Sequence, residues 1–256
     1  MPIKLVPFFK ELNVSCESDN LKEMHSIFDY KNALQKFYNT FIKFNPGVLA
    51  EFEIATDLTT QLSFPNIFRS NLSNLNLMES LTKSNTDYVT NHTGKMILCG
   101  ADHLICNNVR NFFLGEYFDI GVWMNGDHIN NTVVLVNKNE YNRHKVNKFF
   151  VQRYDIFCGL DDKTKSWYGD QNSLTILLDR YRVINRYMKH KEKNVYKSED
   201  GLIFKFFTYG NLVKGIRKGG LLKDNPTNIL IDFKGPQRKL AFENIYEEVM
   251  AREIND

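Results

Sequence analysis

Several features that would assign this chain to a class are missing from its sequence. Its four cysteines, Cys16, Cys99, Cys106 and Cys158, include no C-x-x-C pair, which argues against a zinc site or a disulfide framework and favours a reducing compartment. No apolar run approaches the roughly 18 residues of a membrane span. The first residues contain prolines and soon turn polar, unlike a signal peptide. We therefore expect a cytoplasmic protein without a transmembrane segment.

Strong charge of one sign is also missing. Charged residues make up 25% of the chain and the formal net charge is +3, which is too small to predict a nucleic-acid or membrane partner by electrostatics alone. Internal repeats and long linkers are absent too. Hydrophobic residues, at 43%, are sufficient for a large core. A single domain over residues 1–256 is therefore expected.

The apolar pattern alternates between strands and helices, which predicts an α/β fold. Strands are predicted at 2–9, 48–55, 96–99, 133–136, 202–207 and 228–233. Helices are predicted at 30–44, at about 138–154, from Trp167-Tyr168-Gly169-Asp170-Gln171 onward, and at the end of the chain, where Leu240, Phe242, Ile245 and Val249 face inward. One or two further helices are expected within 58–92, and a glycine- and lysine-rich loop at 210–220.

The stretch from Met96 to Phe113 is the centre of this pattern. The strand at 96–99 leads through Gly100 and Ala101 to Asp102, and ligands of α/β sheets gather at the carboxyl ends of such strands. Asp57 ends an earlier strand in the same way. Both aspartates have a structural alternative, because Asp also stabilises turns and caps helices.

Four stretches, taken in order, resemble the motifs of a known family. They are Ile97-Leu98-Cys99-Gly100-Ala101-Asp102, Ile129-Asn130-Asn131-Thr132-Val133, Trp167-Tyr168-Gly169-Asp170-Gln171 and Asp232-Phe233-Lys234-Gly235-Pro236-Gln237-Arg238-Lys239. Over about residues 27–240 the chain resembles nucleotide-sugar-dependent glycosyltransferases of the GT-A fold with a lipopolysaccharide-glycosyltransferase-like layout. The resemblance implies a Rossmann-like fold with a mixed, mostly parallel central sheet flanked by helices, and a C-terminal extension.

The same resemblance divides the single domain by role. Residues 1–137 would bind the nucleotide sugar, 138–240 would form the acceptor side and the diphosphate-binding segment, and 240–256 would be the C-terminal helix. Asp57 would contact the nucleoside, Asn130 the donor sugar, and Lys234, Gly235, Arg238 and Lys239 the diphosphate. The alternative for these basic residues is a solvated turn. Lys214, Arg217 and Lys218 would form either a lid or, more simply, a surface loop.

A divalent ion is the cofactor that the resemblance implies. Asp102 and Asp232 are its candidate ligands, which suits Mn²⁺ or Mg²⁺ because hard cations prefer oxygen. The chain departs from the family pattern at two places: Gly100 stands where the D-x-D motif has its first aspartate, and Asp232 stands where a histidine is expected. His103 is an alternative nitrogen ligand or a polar neighbour, and a site that works without metal stays open.

Asp170 and Gln171 are the candidate catalytic residues. The resemblance places them near the anomeric carbon and the acceptor hydroxyl, with Asp170 as base or orienting carboxylate. The alternative is that Asp170 caps the following helix. Trp123 and Trp167 are candidates for a sugar platform, or ordinary core residues.

These residues together predict transfer of a hexose from a nucleotide sugar, expected to be uridine-linked, to an acceptor hydroxyl. The expected acceptor is a glycan, with a modified nucleic-acid base or a protein side chain as alternatives. Two other functions stay open: a binding protein without catalysis, and a divalent-metal nuclease or phosphatase using Asp57, Asp102, Asp170 and Asp232. The sequence predicts no oligomeric state.

Overall fold

A computed structural model describes residues 2–12, 17, 19–47, 49–208, 210, 212–215, 228–233 and 239–253 of the chain. The strands are β1 (Ile3–Phe8), β2 (Ala50–Phe52), β3 (Ile54–Asp57), β4 (Ile67–Ser70), β5 (Gly94–Gly100), β6 (His103–Ile105), β7 (Ile120–Asn125), β8 (His128–Lys138), β9 (Val195–Lys197), β10 (Ile203–Thr208), β11 (Val213–Gly215) and β12 (Leu230–Asp232). The helices are α1 (Asp19–Ile27), α2 (Tyr30–Phe44), α3 (Leu77–Asn91), α4 (Arg143–Cys158), α5 (Asp162–Arg180), α6 (Val183–Lys189), α7 (Phe242–Ala251) and a short 3-10 helix, Val109–Phe113. Among these described helices, none is both long and apolar enough to cross a membrane.

The large sheet has the strand order β4-β3-β1-β5-β8-β7-β10-β9, and β2 also pairs with β1. Its pairs are parallel from β4 to β5 and between β7 and β10, whereas β8 runs antiparallel to both of its neighbours. A smaller sheet has the order β11-β12-β6. The predicted mixed, mostly parallel sheet flanked by helices is confirmed.

Alternating side chains of the central strands divide the core into two layers. Leu5 of β1 and Ile97 of β5 belong to the layer shared with α2 and α7, whereas the next residues along, Val6 and Leu98, belong to the layer shared with α3 to α6. A strand that is buried on both faces reads as a continuous apolar run, which is why β5 was recognisable from sequence.

Helix α2 forms as its spacing predicts. The Asp29 carboxylate accepts hydrogen bonds from the backbone N–H groups of Lys31 and Asn32, at 3.0 and 2.9 Å, and so caps the first turn. The helix ends before Asn45. Leu34 and Phe37 are buried as expected, whereas Tyr30 is only half-buried at the start of the helix.

Strand β8 contains a bulge. Gly121 of β7 pairs with Leu135, and Trp123 of β7 pairs with Asn130. On the β7 side, residues 131–134 of β8 therefore have only Val122 opposite them. A bulge re-aims the side chains next to it. It lies in the Asn130-Asn131-Thr132-Val133 stretch singled out from the sequence.

Several local predictions were wrong. The region 58–92 contains strand β4 as well as helix α3, and α4 begins at Arg143 because β8 continues to Lys138. Lys214 lies in β11 rather than in a loop. Leu240, predicted to face inward, is 75% exposed. Of the two interpretations given for Trp123, the core residue is confirmed, since it is fully buried and stacks on Phe207.

The Trp167 to Gln171 stretch does not open a helix. It lies inside α5, which begins at Asp162 because the carboxylate of Asp161 caps it by accepting the N–H of Thr164 at 3.0 Å. Gly169 faces α4: a Cβ atom there would lie 2.5 Å from Cε2 of Phe157. The glycine therefore allows the close approach of the two helices.

We expect Gly169→Ala to lower the free energy of unfolding by about 1 to 3 kcal/mol through overpacking, although alanine favours helices. Gly159→Ala is the matched control, since a Cβ at Gly159 would meet its nearest neighbour at an ordinary 3.5 Å. Urea denaturation of both variants checks this. A Gly169→Ala protein as stable as the wild type would contradict the close contact with Phe157.

Candidate active site

The smaller sheet brings distant parts of the chain to the carboxyl end of β5. In the antiparallel pairing of β6 with β12, Asp232 lies opposite His103. Asp102 occupies the turn between β5 and β6. The turn is tight, because a Cβ atom on Gly100 would lie 2.9 Å from Oδ1 of Asp102. Two of the sequence-predicted carboxylates thus lie on the two sides of His103.

Asp102 forms an ion pair with Lys239. The Nζ atom of Lys239 lies 2.6 Å from Oδ2 of Asp102, with the lysine side chain 2% exposed and the aspartate side chain 22% exposed. The same Nζ atom lies 4.5 Å from the ring centroid of Phe28 and 4.4 Å from that of Tyr30, within the range of cation–π attraction. The ammonium is therefore enclosed by one carboxylate and two aromatic rings.

The pKa values in this cluster favour the charged pair. Desolvation alone would raise the pKa of Asp102, but the charges of Lys239 and His103 outweigh it and lower that pKa to about 2. Burial alone would lower the pKa of Lys239, but Asp102 and Tyr30 raise it above its ordinary value. Burial and the Asp102 charge raise the pKa of Tyr30 to about 12, so the phenol stays neutral.

Asp232 faces inward. Its side chain is 2% exposed, and its Oδ1 atom lies 3.5 Å from Nε2 of His103. The Thr132 hydroxyl lies 3.1 Å from Oδ2 of Asp232. His103 has its other ring nitrogen, Nδ1, 3.0 Å from the carbonyl oxygen of Gly100, which can only accept, so Nδ1 carries the proton.

The bulge of β8 extends this cluster toward α5. The amide oxygen of Asn130 accepts the backbone N–H of Thr132 at 3.0 Å. The next residue, Asn131, donates from Nδ2 to Oδ2 of Asp170 at 2.6 Å. On the other side, the fully buried Arg153 donates to the backbone oxygen of Asp170 at 3.0 Å. A chain of polar contacts and neighbouring residues therefore runs from Lys239 to Asp170.

A cleft of about 550 Å³ adjoins the ion pair. Its lining includes Phe9 and Lys10, which follow β1, and the Phe28, Tyr30 and Lys31 of the α1–α2 connection. Phe28 and Tyr30 thus separate the cleft from the ammonium of Lys239. Since β1 is parallel to β5, with Phe8 paired to Gly100, the cleft lies at the carboxyl end of the central strands.

The structure brings together five of the residues predicted from sequence: Asp102, Asn130, Asp170, Asp232 and Lys239. Asp57 lies outside this group, at the end of β3, and its contact with the nucleoside stays a prediction. Its Oδ1 accepts the N–H groups of Thr59 and Thr60, which organises a turn, and this matches its structural alternative although no helix follows at once. Gln171 follows Asp170 within α5. Lys234, Gly235, Arg238, Arg217 and Lys218 lie outside the described residues.

Four contributors were missed. Asn131, Thr132, Phe28 and Tyr30 had no assigned role, although Asn131 holds Asp170 and the two aromatic rings enclose Lys239. The two asparagines and the threonine precede an apolar strand, and this polar cluster was the available signal. Nothing local connects Phe28 or Tyr30 to Lys239, because that contact joins positions about 210 residues apart along the chain.

The carboxylates do not converge on a metal centre. Within the part of the chain that the structure describes, no group of three or more His, Cys, Asp and Glu side chains is placed to hold a metal ion. Asp57, Asp102, Asp170 and Asp232 each have different partners. This arrangement does not fit the two-metal nuclease or phosphatase alternative, which needs the carboxylates around a pair of ions.

Replacing Lys239 by methionine removes the partner of Asp102. We expect Lys239→Met to lower the free energy of unfolding at pH 7 by about 3 kcal/mol, because a poorly solvated carboxylate is left unpaired. The pKa of Asp102 lies below its ordinary value of 3.8, so the pair stabilises fully above that pH and its contribution is lost as the pH falls toward about 2. The difference in the free energy of unfolding between Lys239→Met and the wild type should therefore become smaller below pH 4.

Urea denaturation at pH 7, 5 and 3.5 measures this gap. Lys36→Met is the matched control, since Lys36 also pairs with a carboxylate, Glu243, and lies 4.6 Å from the Tyr246 ring, but on the outer contact of α2 with α7. Its cost should stay below about 1 kcal/mol, as for exposed pairs. Equal costs for the two variants at every pH would contradict the ion-pair assignment.

The similarity of this chain to known proteins lies in its fold. No protein-family model matches this sequence, and no curated protein matches it either. Among solved structures, the galactosyltransferase LgtC, in complex with donor and acceptor sugar analogues, matches with a TM-score of 0.52 at 11% identity over 99% of this chain and 98% of that one. The glycosyltransferase GlyE of Streptococcus pneumoniae TIGR4 matches with a TM-score of 0.49 at 9% identity over 98% of this chain and 61% of that one. The chain therefore has a GT-A-like glycosyltransferase fold, as its four stretches predicted.

Proposed function

We propose that this protein is a glycosyltransferase that moves a hexose from a nucleotide sugar, uridine-linked, to an acceptor hydroxyl. One observation carries the proposal: residues of the four stretches singled out from the sequence lie side by side at the carboxyl end of β5. Asp102 and Asp232 flank His103, the Thr132 hydroxyl lies 3.1 Å from Asp232, and the residue before Thr132, Asn131, donates to Asp170. The likeness to LgtC over nearly the whole chain supports the same assignment.

The cleft beside the ion pair is the proposed donor site. It lies where α/β sheets bind their ligands, and its lining combines aromatic rings with two lysines and two acidic residues, Glu11 and Asp29. Phe28 and Tyr30 offer apolar surface to a base or a ribose.

The chemistry of transfer accounts for the charges of the network. Cleavage of the bond between sugar and diphosphate leaves negative charge on the phosphate while the sugar becomes oxocarbenium-like. That charge needs a divalent ion or fixed cations. Lys239 is the described cation in this position, and Lys234 and Arg238 precede it in sequence. Asp170, held by Asn131, serves the acceptor side as base or orienting carboxylate, with Gln171 beside it.

A glycan is the proposed acceptor. The solved structure of LgtC contains an acceptor sugar analogue as well as a donor analogue, which supports a sugar hydroxyl over a nucleic-acid base or a protein side chain. A small net charge of +3 agrees with this choice, because it gives no reason to expect a nucleic-acid substrate.

The donor is identified by thermal melting with UDP, GDP, ADP and CDP and their hexose conjugates. A ligand that binds only the folded state stabilises it by about 2.7 kcal/mol at one hundred times its dissociation constant, which shifts the melting temperature by several degrees. We expect the uridine compounds to give the largest shift, and slow hydrolysis of the matching sugar to follow. If none of the four nucleotides shifts the transition, the proposed function is wrong.

The second candidate is a protein that binds nucleotide sugars without catalysis, which the loss of a carboxylate at Gly100 favours. Asp170→Asn separates the two. For a transferase we expect kcat to fall by about 100-fold or more while UDP affinity changes less than twofold. Asp162→Asn, in the first turn of the same helix, is the matched control and should keep wild-type kcat. Binding of the donor with no hydrolysis or transfer in the wild type would favour the non-catalytic protein.

A further inference from the structure

The turn between β5 and β6 is crowded around Asp102. A Cβ atom added at Gly100 would lie 2.9 Å from Oδ1 of Asp102 and 3.5 Å from Cε1 of His103. A side chain at position 100 would therefore displace the Asp102 carboxylate, whereas the contact with the His103 ring is an ordinary one. Asp102 is the sole acidic residue of this turn.

The carboxylate that remains is already neutralised. Oδ2 of Asp102 lies 2.6 Å from the ammonium of Lys239, whose side chain is almost entirely buried. Mg²⁺ and Mn²⁺ need close contact with carboxylate oxygens, at about 2.1 Å for Mg²⁺. An ion on Asp102 would therefore lie beside a fixed positive charge within a poorly solvated cluster, where like charges repel strongly.

The second predicted metal ligand faces away from solvent. Asp232 is 2% exposed, with its two oxygens next to Nε2 of His103 and the hydroxyl of Thr132. His103 lies between Asp102 and Asp232, but among the described residues no three side chains of metal-binding type, these included, are placed to hold a metal ion. The donor set of the described residues does not fit a divalent ion.

We propose that the ammonium of Lys239 takes the place of a divalent ion in this site, so that the protein binds its nucleoside diphosphate donor without metal. This inference rests on the proposed function. A divalent ion held by two carboxylates forms a neutral unit, and Lys239 with Asp102 also forms a neutral unit, with one charge of each sign. With no carboxylate at Gly100 and with Lys239 beside Asp102, this part of the site is therefore neutral without a divalent ion.

Lys239 suits this role by its fixed position. Its ammonium donates to Asp102 and Tyr30 and lies behind the rings of Phe28 and Tyr30 that line the cleft. We therefore assign to it a charge interaction with a donor phosphate across those rings, without a direct contact. The rings of Phe28 and Tyr30 hold the side chain in place between Asp102 and the cleft. A cation that is already in position before the reaction stabilises the leaving diphosphate without reorganisation.

The first test uses the full chain, treated with EDTA and then dialysed. The dissociation constant of the nucleoside diphosphate that gives the largest melting shift is measured by calorimetry in EDTA and in Mn²⁺. We expect less than a twofold difference. In parallel, the electron paramagnetic resonance signal of free Mn²⁺ follows uptake by the protein alone, and no stoichiometric uptake is expected.

Two results would overturn the inference while leaving the proposed function intact: an affinity at least tenfold lower in EDTA than in Mn²⁺, or one bound Mn²⁺ per chain that Asp102→Asn removes. Failure of every nucleoside diphosphate to bind, with or without Mn²⁺, would overturn the proposed function and the inference together. The two failures are therefore distinguishable.

The second test compares Lys239→Met with Lys36→Met, both measured in EDTA. We expect the first to weaken binding of the nucleoside diphosphate at least tenfold and the second less than twofold, and Lys239→Arg to retain part of the affinity. If Lys239→Met binds as tightly as the wild type, the lysine does not act on the phosphates. The wild-type comparison in EDTA decides the question if that variant fails to fold.

Discussion

The candidate site depends on the antiparallel pairing of two three-residue strands. β6 and β12 place Asp232 opposite His103, and without this register the carboxylate would have no fixed relation to the end of β5. Two further hydrogen bonds hold the pair in place. The N–H of Ile105 donates to the hydroxyl of Thr40 in α2, at 3.0 Å, and the N–H of Cys106 donates to the carbonyl oxygen of Ile229, at 2.9 Å. Short strands have little stability alone, so this sheet relies on its attachment to α2.

A contribution to stability does not explain well why Asp102 and Lys239 form a buried ion pair. Removing two ions from water costs about as much as their attraction returns, and apolar replacements of buried pairs are often neutral or stabilising. A pair retained at the wall of a cleft is better explained by a ligand than by stability. The aromatic rings around Lys239 and the partly exposed oxygens of Asp102 agree with that explanation.

The sequence predicted those features that local pattern determines. α2 follows from apolar residues at helical spacing and from the cap at Asp29, and β5 follows from its uninterrupted apolar run. The Trp167 to Gln171 stretch was predicted to open a helix but lies inside α5, where the contact with Phe157 in α4 requires its glycine. Asp102 was singled out from its strand end, and Asp232 from the family resemblance. Of the residues that contact them, Lys239 was also predicted from sequence. The others, such as Tyr30 and Thr132, reach the site through tertiary contacts that sequence spacing does not reveal.

The order of the parts along the chain has a consequence for biosynthesis. The segment up to β8 contains Asp102, His103 and the cleft, but Lys239 is synthesised 137 residues after Asp102. Helix α7 follows at once and docks on α2, where Asn39 donates to the hydroxyl of Tyr246 and Lys36 pairs with Glu243. Because domains begin to fold from their N-terminal side during synthesis, Asp102 has no cation partner until Lys239 has been made. A nascent chain, or one that terminates before Lys239, therefore lacks a complete site.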